Sequence, residues 1–132
     1  MDFRLTSEQL ELQDTARRFA TEQMRPVGRE IEQSAQPLSH DWLHRYAEMG
    51  FLGINVATEY GGMGLGNLEA LLVLEEFAKV SPAAAFPIFE SSVGPVRAIE
   101  HFAGEALKRR VLPAVCRGDL IVAVAMSEPD AG

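Results

Sequence analysis

The seven consecutive apolar residues Leu120 to Met126 constrain this chain more than any other feature. A strand needs a neighbour for its backbone donors and acceptors. Upstream every periodic segment reads as helix, so the run asks for a sheet that the preceding residues do not supply, and an open apolar edge invites association. We therefore expect one module of something larger. The change falls at Gly118-Asp119, where helical periodicity gives way to a continuous apolar run of the kind buried on both faces. This spacing predicts a helical domain over 1–118 and the start of a truncated middle β-domain over 119–132.

The helical part begins at Thr6-Ser7-Glu8-Gln9, a capping-box pattern in which Thr6 accepts from the third helical amide and Gln9 reaches back. Leu12, Ala16, Phe19 and Ala20 then share one face. Pro26 lacks an amide and should kink or interrupt this helix, and Gln36-Pro37-Leu38 should end the shorter helical piece beyond it. A second helix is expected from Ser39 to a left-handed cap at Gly50. Phe51 to Val56 reads as a short buried connector. Asn67 should cap a third, central helix, apolar on more than one side at Leu68, Leu71, Leu72, Val73, Leu74 and Phe77. Ala83–Val93, Gly94–Phe102 and Gly104–Arg117, the last broken at Pro113, complete an all-α bundle of about five or six helices. No fixed-period repeat or low-complexity stretch is present.

Composition removes several classes of function. With 12 basic against 19 acidic residues the net charge is -7, which opposes attraction to phosphate backbones, so nucleic acid is not an expected partner. The single cysteine, Cys116, excludes an internal disulfide. No apolar stretch approaches the roughly 20 residues that span a bilayer, and the N-terminus lacks the layout of a secretory signal, so a cytoplasmic protein is expected.

Other motifs have plain structural readings. His40 and His44 are four apart beside Asp41, resembling a zinc-protease helix, but the acid is Asp and no third ligand lies nearer than His101. No metal site is expected. Gly62-Met63-Gly64-Leu65-Gly66 could cradle phosphate, yet no strand precedes it and no Lys comes after it, so a structural turn is expected. Lys108-Arg109-Arg110 reads as a solvated face. Cys116 reads as a small buried hydrophobe. Glu75 and Glu76, adjacent on a helix, point about 100° apart and make no catalytic pair.

Ala125-Met126-Ser127-Glu128-Pro129-Asp130-Ala131-Gly132 resembles the first part of the acyl-CoA dehydrogenase flavin signature: small, aliphatic, Ser or Thr, Glu, two variable positions, small, Gly. The Ser or Thr and Asp that normally complete it are missing. Glu59-Tyr60-Gly61-Gly62-Met63-Gly64 resembles a loop of the same family, followed as expected by a helix carrying Leu74-Glu75-Glu76-Phe77-Ala78. Leu112-Pro113 and Asp2-Phe3-Arg4-Leu5-Thr6 extend the match, in order, along the whole chain. The resemblance implies the family's N-terminal orthogonal helical bundle plus one terminal β-strand.

It also implies an FAD-dependent dehydrogenase that introduces an α,β double bond into an acyl-CoA thioester. A carboxylate removes the α proton, the β hydrogen leaves as hydride to the flavin, and electrons pass to an electron-transfer flavoprotein. The family's base belongs to a C-terminal helical domain, so no catalytic residue is expected here and residues 1–132 alone should not turn over substrate. Val124, Met126 and Ser127 are the implied flavin contacts. A strand suits a flat apolar ring edged with donors and acceptors, because its amides meet the edge and its side chains cover the face. Ala85, Phe86 and Phe89 are the implied acyl contacts, and their bulk favours a short, branched or ring-bearing group. The alternative for Phe86 and Phe89 is ordinary core packing. The intact family is usually tetrameric, so a homo-oligomer, tetramer or dimer, is expected of the whole protein. Two further readings remain open on sequence: a non-catalytic subunit that completes a partner flavoprotein, and a helical interaction module.

Overall fold

The computed structural model describes residues 4–130. Asp2 and Phe3, and the Ala131-Gly132 end of the signature, lie outside the described residues. Helix α1 (Ser7–Phe19) opens on the expected capping box: Thr6 Oγ1 accepts from the Gln9 amide at 3.2 Å, and the Thr6 amide donates to Gln9 Oε1 at 3.0 Å. It continues through a π turn, Ala20–Met24, into α2 (Arg25–Ser34). Pro26 has no amide for the carbonyl four residues back. The helix accommodates this by widening upstream and does not stop.

Helix α3 (His40–Glu48) closes as the glycine predicts. Gly50, at φ 74°, donates to the Ala47 carbonyl and Phe51 to the Tyr46 carbonyl, both at 2.9 Å. Helix α4 (Asn67–Ala78) lies at the centre, against α1 on one side and α5 (Pro82–Ile88) on the other. Ser81 caps α5, accepting from the Ala84 amide. A second π turn, Phe89–Val93, leads to α6 (Pro95–Phe102), and then to α7 (Glu105–Cys116).

Three expectations are corrected. Asn67 is not the cap of α4: Gly66 holds that position, and Asn67 lies inside the helix with its Oδ1 accepting from Asn55 Nδ2 at 2.6 Å. Pro113 does not break α7. Leu112, Val115 and Cys116 flank it and are buried in one apolar cluster, which holds the turn although the Pro113 position donates no hydrogen bond. The run Leu120–Met126 is not a strand buried on both faces. Residues 120–127 take no regular secondary structure, a single bridge residue stands at Glu128, and Leu120, Ile121, Val124 and Met126 are exposed. The reason is the one that made the run conspicuous: among the described residues no neighbouring strand satisfies its backbone.

The larger core is built on four rings. Phe77 of α4 meets Tyr46 at 5.1 Å and Phe51 at 5.2 Å, edge to face, and Phe19 meets Phe51 at 5.3 Å. Such pairs add about 0.5–1.5 kcal/mol each beyond area burial. The smaller core gathers Val56, Tyr60, Val96, Leu112, Val115 and Cys116, and Val122 of the apolar run packs on it.

Candidate functional site

Two patches hold the residues that the sequence singles out, one on α5 and one on the C-terminal segment. Pro82 and Ser81 start α5, and Pro87 sits within it. Past Pro87 the backbone opens into the π turn Phe89–Val93, closed by a hydrogen bond from the Gly94 amide to the Phe89 carbonyl at 2.7 Å. Residues three apart share a helix face, and Phe86 and Phe89 accordingly stand together, 58% and 40% exposed, rings edge to face at 6.3 Å. Ala85 is not exposed with them: it is buried in the larger core. The structure thus brings Phe86 and Phe89 together on an open face and places Ala85 beneath it.

Glu90, next after Phe89, is half-buried, and burial pushes its carboxyl above the usual range. It lines a small cleft with Leu43, Leu52, Pro87 and Ser91, and residues 120–122 close the other side. The start of the C-terminal segment therefore lies against the π turn and the base of α7. Beyond it, Val124 and Met126 are 50% and 80% exposed and Ser127 is exposed. Over 120–127 no backbone ladder forms among the described residues. A run that forms no ladder among the described residues, with exposed apolar side chains and a terminal hydroxyl, has a surface and polar groups of the kind that a flavin ring requires.

The glycine loop is fully occupied by its own chain. Gly62, Met63, Gly64 and Leu65 donate to the carbonyls of Ala57, Gly53, Val56 and Ile54 respectively, at 2.9–3.3 Å. Those amides are spent on a structural zipper with the 53–57 connector, so they do not cradle an anion. Arg109 pairs with Glu105 at 2.6 Å and lies over the Tyr60 ring, so this member of the basic cluster belongs to a surface network. His40 and His44 are exposed, and His44 Nε2 lies 3.2 Å from Asp119 Oδ1. No group of three metal-ligating side chains occurs among the described residues. Burial, helped by the Glu100 carboxylate, pushes the Cys116 thiol up to about 11. It is a core residue, as its composition suggests.

Sequence reasoning missed two features. Glu76 is 3% exposed and is held between α1 and α4 by Lys79 at 3.0 Å and Arg17 at 3.4 Å. Its apolar neighbours on α4 were the available signal. The second is an open groove of about 530 Å³ in which Met49, Met63 and Leu65 lie beside Glu8, Glu11 and Glu69. Four separate segments form it, and no local pattern announces it.

Residues 6–119 match the family model described as "Acyl-CoA dehydrogenase, N-terminal domain". The chain belongs to the acyl-CoA dehydrogenase family. It is 38% identical over 130 residues to the mitochondrial isovaleryl-CoA dehydrogenase of Bos taurus, covering 97% of this chain and 30% of that protein. A chain from the electron transferring flavoprotein structure of Acidaminococcus fermentans superposes with a TM-score of 0.87 at 31% identity, covering 100% of this chain and 34% of that one. An acyl-CoA dehydrogenase of Bacillus anthracis solved with FAD gives a TM-score of 0.83 at 28% identity, covering 97% and 22%. The chain spans about a third of the length of the curated relatives it matches. No helix among the described residues is long and apolar enough to cross a membrane.

Proposed function

We propose that residues 1–118 are the helical domain, and residues 119–132 the opening of the middle β-domain, of an FAD-dependent acyl-CoA dehydrogenase that desaturates an acyl-CoA thioester at the α,β position. The observation that carries the reading is the segment 120–127, which forms no backbone ladder among the described residues and exposes Val124, Met126 and Ser127. Val124, Met126 and Ser127 are the residues that would hold FAD. Bound FAD supplies the hydride acceptor. The chain's own part is to cover an apolar ring face with Val124 and Met126 and to offer the Ser127 hydroxyl and nearby amides to its polar edge.

Phe86 and Phe89 form the wall that meets the acyl end, and Ala85 supports them from the core. Two aromatic rings leave room for a short or branched acyl group and exclude a long straight one. The identity with a dehydrogenase named for a short branched acyl group supports this choice. Electrons leave to an electron-transfer flavoprotein. The whole protein works in β-oxidation-type acyl metabolism as a cytoplasmic homo-oligomer, tetramer or dimer, and residues 1–132 by themselves are inactive.

The test is steady-state oxidation of an acyl-CoA series by the FAD-loaded full-length protein. Higher kcat/KM for isovaleryl-CoA than for palmitoyl-CoA is expected. A preference for palmitoyl-CoA contradicts the acyl wall, and saturable turnover by residues 1–132 alone contradicts the division of labour.

A further inference from the structure

Gly94 stands where the π turn closes, and its place is defined by Phe89 twice over. Its amide donates to the Phe89 carbonyl at 2.7 Å, and a Cβ added to it would lie 2.7 Å from Cε1 and 2.8 Å from Cζ of the Phe89 ring and 3.0 Å from the Phe89 carbonyl oxygen. The ring therefore rests on the bare Cα of Gly94. On its exposed side the same ring meets Phe86 edge to face. Real Cβ atoms essentially never approach another heavy atom this closely, so any side chain at residue 94 forces the ring off its seat. The ring is the far end of a side chain with two rotatable bonds and can swing away, while the Phe89 carbonyl oxygen needs to give by only a few tenths of an ångström.

We propose that Gly94 is a specificity-determining positioning residue: the missing side chain seats the Phe89 ring, and that seating fixes the space left for the acyl end. This rests on the placement of the acyl end at Phe86 and Phe89 under Proposed function. Gly94 touches no substrate and acts only through Phe89. The π turn makes this coupling possible, because widening the helix by one residue per turn brings residue 94 back under residue 89, where a regular α-helix would place residue 93.

The test is a double-mutant cycle in the FAD-loaded full-length protein, reading the ratio of kcat/KM for octanoyl-CoA to that for isovaleryl-CoA. A single methylene in an apolar pocket is worth about tenfold or more in such ratios. Phe89→Ala is expected to raise the ratio by at least about tenfold. Gly94→Ala is expected to change it by about tenfold when Phe89 is present, and by less than about twofold in the Phe89→Ala background. If Phe89→Ala moves the ratio and Gly94→Ala leaves it within about twofold, the seating role of Gly94 is wrong while the acyl wall stands. An unchanged ratio in Phe89→Ala removes the acyl wall and this inference together. Should Gly94→Ala fail to yield folded, FAD-loaded protein, the Gly94→Ala/Phe89→Ala protein reads the contact directly: recovery of folded holoprotein supports the seat, and failure of both overturns it.

Discussion

Removing the two cations that hold Glu76 should leave a charge in the core with nothing to balance it. The Glu76 carboxylate is 3% exposed; its bond to Arg17 ties α4 to α1, and Lys79 at the end of α4 holds its other oxygen. Burial alone would raise its pKa, but hydrogen bonds from Lys79 and Arg17, together with their charges, outweigh that and hold it below the ordinary value. Breaking a buried pair by deleting one side costs about 3–5 kcal/mol. Arg17 and Lys79 are about half exposed, so water reaches the outer side of the cluster and the low end, about 3 kcal/mol, applies to Arg17→Met/Lys79→Met. For a chain of this size that corresponds to a fall of roughly 10 °C in Tm.

The pH dependence carries an independent sign. In the native protein the carboxyl is depressed, so its contribution is full above the ordinary carboxylate range and is lost as pH falls through the lowered folded value. In the double variant only burial acts, the folded pKa lies above the unfolded one, and the deficit should shrink as pH drops from 7 towards about 4. Adding Glu76→Leu to the double variant should recover most of the loss, because a well-packed apolar group replaces the stranded charge. Thermal unfolding monitored by circular dichroism at several pH values reads all three proteins. A loss under about 1 kcal/mol at pH 7, or a deficit that grows on acidification, refutes the reasoning.

In Gly62→Ala the new Cβ would lie 2.2 Å from the Val56 carbonyl oxygen and 2.6 Å from its carbon; because backbone cannot swing aside as a side chain can, the zipper opens and stability falls by about 2–4 kcal/mol, read by urea unfolding. A wild-type midpoint in that variant would contradict the loop geometry. Cys116, with its thiol raised to about 11, should react with iodoacetamide at pH 8 no faster than the chain opens, so its labelling rate in native buffer should rise steeply with added urea. Fast labelling without denaturant contradicts its burial. Thr6→Ala removes one arm of the capping box and should cost about 1 kcal/mol in thermal unfolding.

Local chemistry was legible in the sequence and long-range chemistry was not. Thr6 with Gln9, and Gly50 after α3, announce helix ends because all the participating groups lie within six residues of one another. Asn67 looks like a cap by the same logic, yet its side chain is engaged by Asn55, a partner twelve residues away. Pro113 looks like a break, yet the apolar cluster around Leu112 and Val115 carries the helix through it. The six candidate site residues divide the same way. The family resemblance singled out Phe86 and Phe89, which the helix sets side by side, but did not tell that Ala85 is buried in the core, because a stripe pattern does not reveal which neighbour covers it. The run 120–126 announces strand chemistry, while the sheet it calls for is not formed among the described residues.

The central claim is that residues 124–127 lie along a bound flavin. A crystal structure of the full-length protein with FAD tests it most directly. The account predicts 120–127 as a strand, Val124 and Met126 against the isoalloxazine face within van der Waals contact, and Ser127 hydrogen-bonded to its polar edge. A flavin ring bound elsewhere, with Met126 and Ser127 in solvent or coiled into a helix, would contradict it.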